Sequence, residues 1–287
     1  MLIFNRPVDL KAHLQKVAPA TNNRREQTIG FVPTMGALHD GHLSLLSTSM
    51  KANDLTVISI FVNPTQFNNP EDLARYPRTL GQDVARIGTL SASIIVFAPS
   101  VDDIYDGNTV SEHFDFDGLE HQMEGRFRPG HFDGVGTIVR RLFEIVGPDN
   151  AYFGEKDFQQ LQIVRKLVAK TGLPVNVIGC PIFREANGLA MSSRNERLSA
   201  AEREQASVIY RTLQQARTLF GTQDVKQVSD FVTGVFDHTA GFTLEYFEIA
   251  DESTLQPATV IEPGKKYRAF IAVFVNNIRL IDTIPLN

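Results

Sequence analysis

Two spacings of apolar residues alternate along the first 180 or so positions. Leu10, Leu14 and Val17 follow Pro7 as one stripe, and Pro7 suits a helix start because its missing N–H is not needed there. Thr28–Val32 is a short apolar run that predicts a strand, and Leu43, Leu45, Leu46 and Met50 then recur at helical spacing. Leu55–Val62 is nearly continuous apolar, as a parallel strand covered on both faces should be. Val84, Ile87 and Leu90 predict a helix, Ile94–Phe97 a strand, and Val135, Ile138, Val139, Leu142, Phe143 and Val146 a longer amphipathic helix ended by Gly147-Pro148. Ala151–Phe153 predicts a strand, Phe158, Leu161, Val164, Leu167 and Val168 a helix, and Pro174–Ile178 the last strand of the series. Strand and helix alternating this often mean a mainly parallel sheet with right-handed crossovers, an α/β fold of Rossmann-like kind.

The pattern changes near residue 185. Ser199-Ala200-Ala201-Glu202 is a capping box that opens a helix reaching about Phe220. Val225, Val228, Phe231, Val232 and Val235 mark a second helix. Thr243–Ala250 and Lys266–Asp282 read as strands, the latter a hairpin around Asn276-Asn277. Helices followed by strands predict a smaller α+β C-terminal domain. The expected division is residues 1–184 and 185–287.

The stretch Pro33-Thr34-Met35-Gly36-Ala37-Leu38-His39-Asp40-Gly41-His42 joins the Thr28–Val32 strand to the helix after it. A strand's carboxyl end and a helix's amino end meet there, so unpaired N–H groups face any anion. Gly36 can take a conformation closed to other residues, and Gly41 is expected to let a ligand approach the backbone. His39 and His42, three apart, would share one helix face. Two imidazoles beside such a nest suit the negative charge that grows on a phosphoryl group under attack. A glycine-rich turn alone is common, and a single histidine in one is more often a cap or a packing residue; two around a glycine are rarer.

Composition narrows the field. The chain has 287 residues, and a chain of this size buries about 75 % of its unfolded surface without staples. Its one cysteine, Cys180, rules out an internal disulfide and reads as a small buried hydrophobe, which fits a reducing cytosol. A net charge of −5, with basic residues only in short pairs such as Arg140-Arg141, argues against nucleic-acid binding. No apolar run reaches membrane-spanning length, and the N-terminus lacks a signal-peptide pattern. The expectation is a cytoplasmic protein with no nucleic-acid or membrane partner.

Other candidate chemistry falls at strand ends or near residue 185. Gly154-Glu155-Lys156-Asp157 offers a lysine that can neutralise a phosphate as a point charge, although helix-start charges are often merely solvated. Gln66, Gln160 and Asn63 offer neutral amides, which suit a polar organic acid or an alcohol, although each is more often a surface residue. Gly188–Asn195 holds two hydroxyls and Arg194 in a loop of small residues that can wrap a polyphosphate and can move; a serine-rich linker with a capping role is the plainer alternative.

Taken together, Pro33–His42, Phe61–Phe67 (FVNPTQF), Tyr76–Thr79 (YPRT), Glu124–Val135 (EGRFRPGHFDGV), Phe153–Gln160 (FGEKDFQQ) and Gly188–Asn195 (GLAMSSRN) resemble the pantothenate synthetase family, in the family's order. The wider His-x-Gly-His nucleotidyltransferases share only the first turn and a late serine-rich loop. The resemblance implies a two-step ligase that joins pantoate to β-alanine at the expense of ATP, through an acyl adenylate. It implies that Met35, Gly36, Ala37, Leu38, His39, Asp40, Gly41 and His42 bind ATP, with His42 a proton donor and His39 and Lys156 acting beside it. Gly154, Glu155, Lys156 and Asp157, then Met191, Ser192, Ser193 and Arg194, are implied further ATP contacts, and Phe183 falls where the family makes a main-chain contact to adenine. Gln66 is implied for both pantoate and β-alanine, and Gln160 and Asn63 for pantoate. Thr65 occupies a position where a longer apolar residue is expected. Magnesium should accompany ATP; its ligands are not assigned, with Asp83 a candidate. A homodimer is also implied. Three rivals remain at this level: another adenylyl- or cytidylyltransferase, a catalytically silent nucleotide-binding module, and a short relative of the aminoacyl-tRNA synthetases. The two glutamines argue against the first, the concurrence of both histidines with Lys156 against the second, and acidity and size against the third.

Overall fold

The computed structural model describes residues 1–21 and 24–287. Among the described residues, strands β1 (Leu2–Phe4), β2 (Ile29–Thr34), β3 (Leu55–Ile60), β4 (Ile95–Phe97), β5 (Asn150–Gly154) and β6 (Asn176–Cys180) form a six-stranded sheet in the order β1-β4-β3-β2-β5-β6. Every neighbouring pair is parallel. The predicted strands are all present, with ends displaced by one or two residues. β1 was not anticipated: its apolar run, Leu2-Ile3-Phe4, is only three residues long, and Leu2 and Ile3 at the sheet's edge are half exposed.

Alternate residues serve the two faces of this sheet, as a two-residue repeat requires. Phe31, Val57, Ile95 and Phe97 pack with the helices Pro7–Val17, His131–Val146 and Phe158–Thr171. Val32, Ile58 and Val96 face the helices Asp40–Ala52 and Leu80–Leu90 through Leu45, Leu46 and Ile87. With both faces covered, the strands read as continuous apolar runs rather than as alternating ones.

The second sheet is antiparallel, β7 (Phe242–Asp251), β8 (Tyr267–Val275) and β9 (Ile278–Pro285) in the order β9-β8-β7. Asn276 has φ +52°, a left-handed turn conformation that asparagine tolerates, so the two-residue hairpin lies where it was expected. On β8, Ala269, Ile271 and Val273 join the helices Ser207–Phe220 and Val225–Asp237 in a separate core. Phe270 and Ala272, between them, belong to the core of the parallel sheet. One strand thus knits the two units together. The single helix expected from Ser199 to Phe220 is two, Ala200–Gln205 and Ser207–Phe220, joined at Ala206.

The helix Asp40–Ala52 approaches β2 closely at Gly30. A Cβ there would lie 2.1 Å from Ser49 Oγ and 2.5 Å from Asn53 Nδ2. Asn53 Nδ2 donates to Tyr152 Oη (2.7 Å) and to the Ser49 carbonyl (2.8 Å), so it cannot yield without loss. Gly30→Ala is therefore expected to lower the unfolding free energy by about 1–3 kcal/mol through overpacking. Gly81→Ala, in a helix where a Cβ meets nothing within 4 Å, should leave stability unchanged or raise it. Urea unfolding of the two variants beside the parent checks both.

Candidate active site

In chain order the sheet grows from β2 through β3 to β4, then resumes on the other side of β2 with β5 and β6. The order reverses between β2 and β5, and such a switch point leaves a crevice beyond the strands' carboxyl ends. A cleft of about 240 Å³ lies there. Pro33 and Thr34 at the end of β2, Gly154 at the end of β5, and His39, His42 and Lys156 line it.

The turn after β2 is held from behind. Gly36 has φ +76°, the left-handed region that glycine enters without strain. Its carbonyl accepts from Tyr76 Oη at 3.1 Å, and the Ala37 carbonyl accepts from Ser193 Oγ at 2.9 Å. The Leu38 N–H donates to Asp83 Oδ1 at 2.7 Å. Hydrogen bonds from three distant segments thus fix three consecutive residues.

The two histidines meet differently from the expected helix face. His39 precedes the helix in extended conformation, while His42 lies in its first turn. Their rings stack at 4.0 Å between centroids, 29° apart. The His39 N–H donates to His42 Nδ1 at 3.3 Å. With Nδ1 an acceptor, the neutral His42 ring carries its proton on Nε2. Gly41 makes room for the His39 ring, which an added Cβ would meet at 2.9 Å, and it also lines the cleft.

Burial, then the Lys156 ammonium, lowers the His39 pKa to about 4. Burial, then His39 and Lys156, holds His42 well below the ordinary histidine range. Both rings are neutral at pH 7 and act as hydrogen-bonding groups. The fixed positive charge of the cleft comes from Lys156, whose Nζ lies 3.1 Å from Asp157 Oδ2, and from Arg194, which pairs with Asp72 at 2.8 Å.

The cleft wall includes Met35, His39, Gly41, His42, Gly154, Lys156, Asp157 and Phe183 together with Met191, Ser192, Ser193 and Arg194. Gln66 and Gln160 are also on the wall, and neither amide bonds to another described residue. Other expected residues lie elsewhere. Gly36, Ala37 and Leu38 form the back of the turn, and Asp40 points outward to Arg86 at 3.4 Å. Glu155 faces Arg268 of the second sheet at 3.4 Å. Asn63 is fully buried: its Nδ2 donates to the Gly134 carbonyl (3.1 Å) and its Oδ1 accepts from Tyr105 Oη (2.6 Å), so it braces its loop instead of facing the cleft. Thr65 Oγ1 bonds to that same Asn63 Oδ1 and also lies off the wall. Asp83 gives Oδ1 to the turn, keeps a buried Oδ2 without a partner among the described residues, and lines a different cavity, not the cleft. No cluster of three or more metal-ligating side chains occurs among the described residues.

Sequence reasoning passed over Tyr76, which braces Gly36, and the apolar flank of Val135, Ile138 and Val139. It also assigned no role to Arg128 and His131. The motif blocks YPRT and EGRFRPGHFDGV had marked their surroundings without saying what they do.

A family model for pantoate-beta-alanine ligase matches residues 3–285. The chain belongs to the pantoate-β-alanine ligase family. The pantothenate synthetase of Flavobacterium psychrophilum is 60% identical over 286 residues, 100% of each chain, and that of Bacteroides thetaiotaomicron is 46% identical over 284 residues, 99% of this chain and 98% of that one. The crystal structure of the Thermus thermophilus ligase superposes with a TM-score of 0.90 at 38% identity, covering 100% of this chain and 99% of that one. The Francisella tularensis ligase, crystallised in complex with β,γ-ATP and β-alanine, superposes with a TM-score of 0.78 at 33% identity over 100% of this chain and 98% of that one.

The lowered histidine pKa values have a consequence for stability. Unfolded histidines take up protons below about pH 6.5, whereas the folded His39 resists down to about 4 and the buried His131 to about 3. The unfolded state then binds more protons, so stability is full above pH 6.5 and falls as the pH drops below it. Exposed His113, its pKa raised by Asp133, works in the opposite sense. Glu124, held at about 2, adds its own loss only below its ordinary range near 4.5. Urea midpoints at about pH 7 and about pH 5 should show a drop in the parent and a smaller one in His131→Asn.

Proposed function

We infer that this chain is a pantoate–β-alanine ligase. A pantoate carboxylate oxygen attacks the α-phosphorus of ATP; the bond to the bridging oxygen breaks, and pyrophosphate leaves with the electron pair. The free amine of β-alanine then attacks the acyl carbon, the carbon–oxygen bond breaks, AMP departs with the electron pair, and the nitrogen gives up one proton to solvent, leaving the amide of pantothenate. A carboxylate is a poor electrophile until its oxygen is made a good leaving group, which is what the first step supplies.

One observation carries the reading: a stacked pair of neutral imidazoles and an ammonium share one cleft with two unengaged amides. During the first step charge accumulates around the α-phosphorus. Fixed donors in a partly desolvated site stabilise it without reorganising. His42 Nε2–H is proposed as such a donor, with Lys156 as the compensating charge and His39 setting the tautomer of His42 through its main chain. Pantoate presents two hydroxyls and a pair of geminal methyl groups. Gln66 and Gln160 suit the hydroxyls, and the flank of Val135, Ile138 and Val139 suits the methyls. The β-alanine amine would approach the acyl carbon beside Gln66.

Gly154, Lys156 and Asp157 with Met191–Arg194 are proposed as the walls around the nucleotide, with Phe183 beside the adenine. Phe183 is 42% exposed, and its carbonyl accepts from the Met191 N–H at 3.0 Å, so the contact to adenine would fall to its remaining main-chain and ring surface. Magnesium fits as an ion carried by the triphosphate, a common arrangement with only one or two protein carboxylates, and Asp157 is the carboxylate on the cleft wall. Bound there it would neutralise phosphate charge. The C-terminal unit, residues 185–287, is proposed to act as a lid through the 191–194 loop. A cytoplasmic homodimer completes the proposal; no described helix is long and apolar enough to cross a membrane.

His42→Ala is expected to lower pantoate-dependent ATP–pyrophosphate exchange by about a hundredfold or more, as loss of one transition-state donor should, while thermal unfolding changes little. Exchange without β-alanine is the diagnostic assay. Exchange at the parent's rate in the variant would remove His42 from the mechanism. No exchange in the parent with pantoate alone would remove the adenylate.

A further inference from the structure

The side chain of Gln66 bonds to no other described residue, so its direction is set by the backbone that carries it. That backbone is clamped. The Gln66 carbonyl accepts from Arg128 Nη2 at 3.1 Å and lies 2.9 Å from His131 Nδ1. A carbonyl only accepts, so Nδ1 of this buried ring holds the proton. One residue earlier, the Thr65 carbonyl rests against the helix His131–Val146 at Gly134, where an added Cβ would lie 2.3 Å from its oxygen. The Gly134 carbonyl in turn receives Asn63 Nδ2.

Arg128 is held on its far side. Its Nη1 lies 3.4 Å from Glu124 Oε2. Glu124 is buried, and accepts Arg279 Nη1 at 2.8 Å, Arg279 Nη2 at 2.7 Å and Tyr246 Oη at 2.8 Å. Arg279 is on β9 and Tyr246 on β7. Neither Arg128 nor His131 is on the wall of the 240 Å³ cleft; both line a smaller cavity that shares Lys156, Asp157 and Gln160 with it. We propose that Arg128 and His131 are positioning residues that aim the Gln66 amide at the organic acid, and that Glu124 ties this aim to the seating of the antiparallel sheet. The proposal rests on the reading of Gln66 as a pantoate ligand.

The charge on Arg128 and the imidazole N–H act on one acceptor from two directions, so loss of either lets the peptide plane rotate. The glutamine then samples directions that do not meet the substrate. Neither Arg128 nor His131 hydrogen-bonds to Gly154, Lys156, Asp157 or Met191–Arg194, the proposed ATP contacts. The signature is a split between two Michaelis constants, which a general loss of structure would not produce.

Steady-state adenylation with pantoate and with ATP varied in turn tests this on Arg128→Met, His131→Leu, His131→Asn, Gln66→Ala and Arg128→Met/Gln66→Ala, with thermal unfolding of each. Arg128→Met and His131→Leu should each raise KM for pantoate about tenfold, the scale of one lost hydrogen bond to a charged or buried group, and leave KM for ATP within about twofold. His131→Asn, whose amide nitrogen takes the place of Nδ1, should recover most of that loss. In the Gln66→Ala background Arg128→Met should cost nothing further, because the residue it aims is gone. Additive losses in the double variant, or equal rises in both Michaelis constants, overturn the positioning role. If His131→Leu does not fold, Arg128→Met and the double variant decide alone. Gln66→Ala with an unchanged KM for pantoate overturns instead the substrate role of Gln66.

Discussion

The site depends on one constraint: the turn after β2 must present two histidines to the cleft while its own polar backbone is satisfied. Asp83, Tyr76 and Ser193 do this from three separate parts of the chain. A buried backbone group without a partner costs about 1–3 kcal/mol, so each of these bonds helps to select a single turn conformation. Ser193 couples two parts of the site, because it comes from the loop that also offers Ser192 and Arg194 to the cleft. The seating of that loop and the shape of the first turn are therefore one event.

A second set of polar contacts joins the two sheets. Arg184 makes a bidentate pair with buried Asp282, at 2.6 and 2.9 Å. Arg268 stacks over Phe158 at 3.9 Å and lies 3.4 Å from Glu155. Buried pairs of this kind add little net stability, since desolvation offsets attraction, but a mismatched docking would leave their charges unpaired. Phe270 and Ala272 supply the apolar part of the same joint. The antiparallel sheet is thus located by charge and held by apolar burial.

The parallel sheet was legible because both its faces are covered, so Leu55–Ile60 and Ile95–Phe97 carry long apolar runs. β1 was missed although Leu2-Ile3-Phe4 is apolar, because so short a run shows no period of its own and its pairing with β4 is not local in sequence. The break at Ala206 left no trace, since alanine is a strong helix former and its type signals no interruption. His42, Lys156, Gln66 and Gln160, singled out by residue type and strand-end position, line one cleft. Asn63 was assigned to the cleft on the same grounds, yet its amide turns inward; strand-end position alone does not tell which way a side chain points. Asp83 failed likewise, because a carboxylate that caps a distant N–H cannot be told from a ligand by sequence. Arg128 and His131 act through a main-chain carbonyl, an interaction that no residue spacing encodes.

The central claim is that the α-phosphate is attacked between His42 and Lys156. A crystal structure of the protein with ATP and pantoate, or with the adenylate formed from them, tests this most directly. The expected result is an α-phosphate oxygen within about 3 Å of His42 Nε2, with Lys156 Nζ at a similar distance from the same phosphate. A nucleotide bound with its phosphates directed away from both groups, while the protein remains active in the crystal, would contradict it.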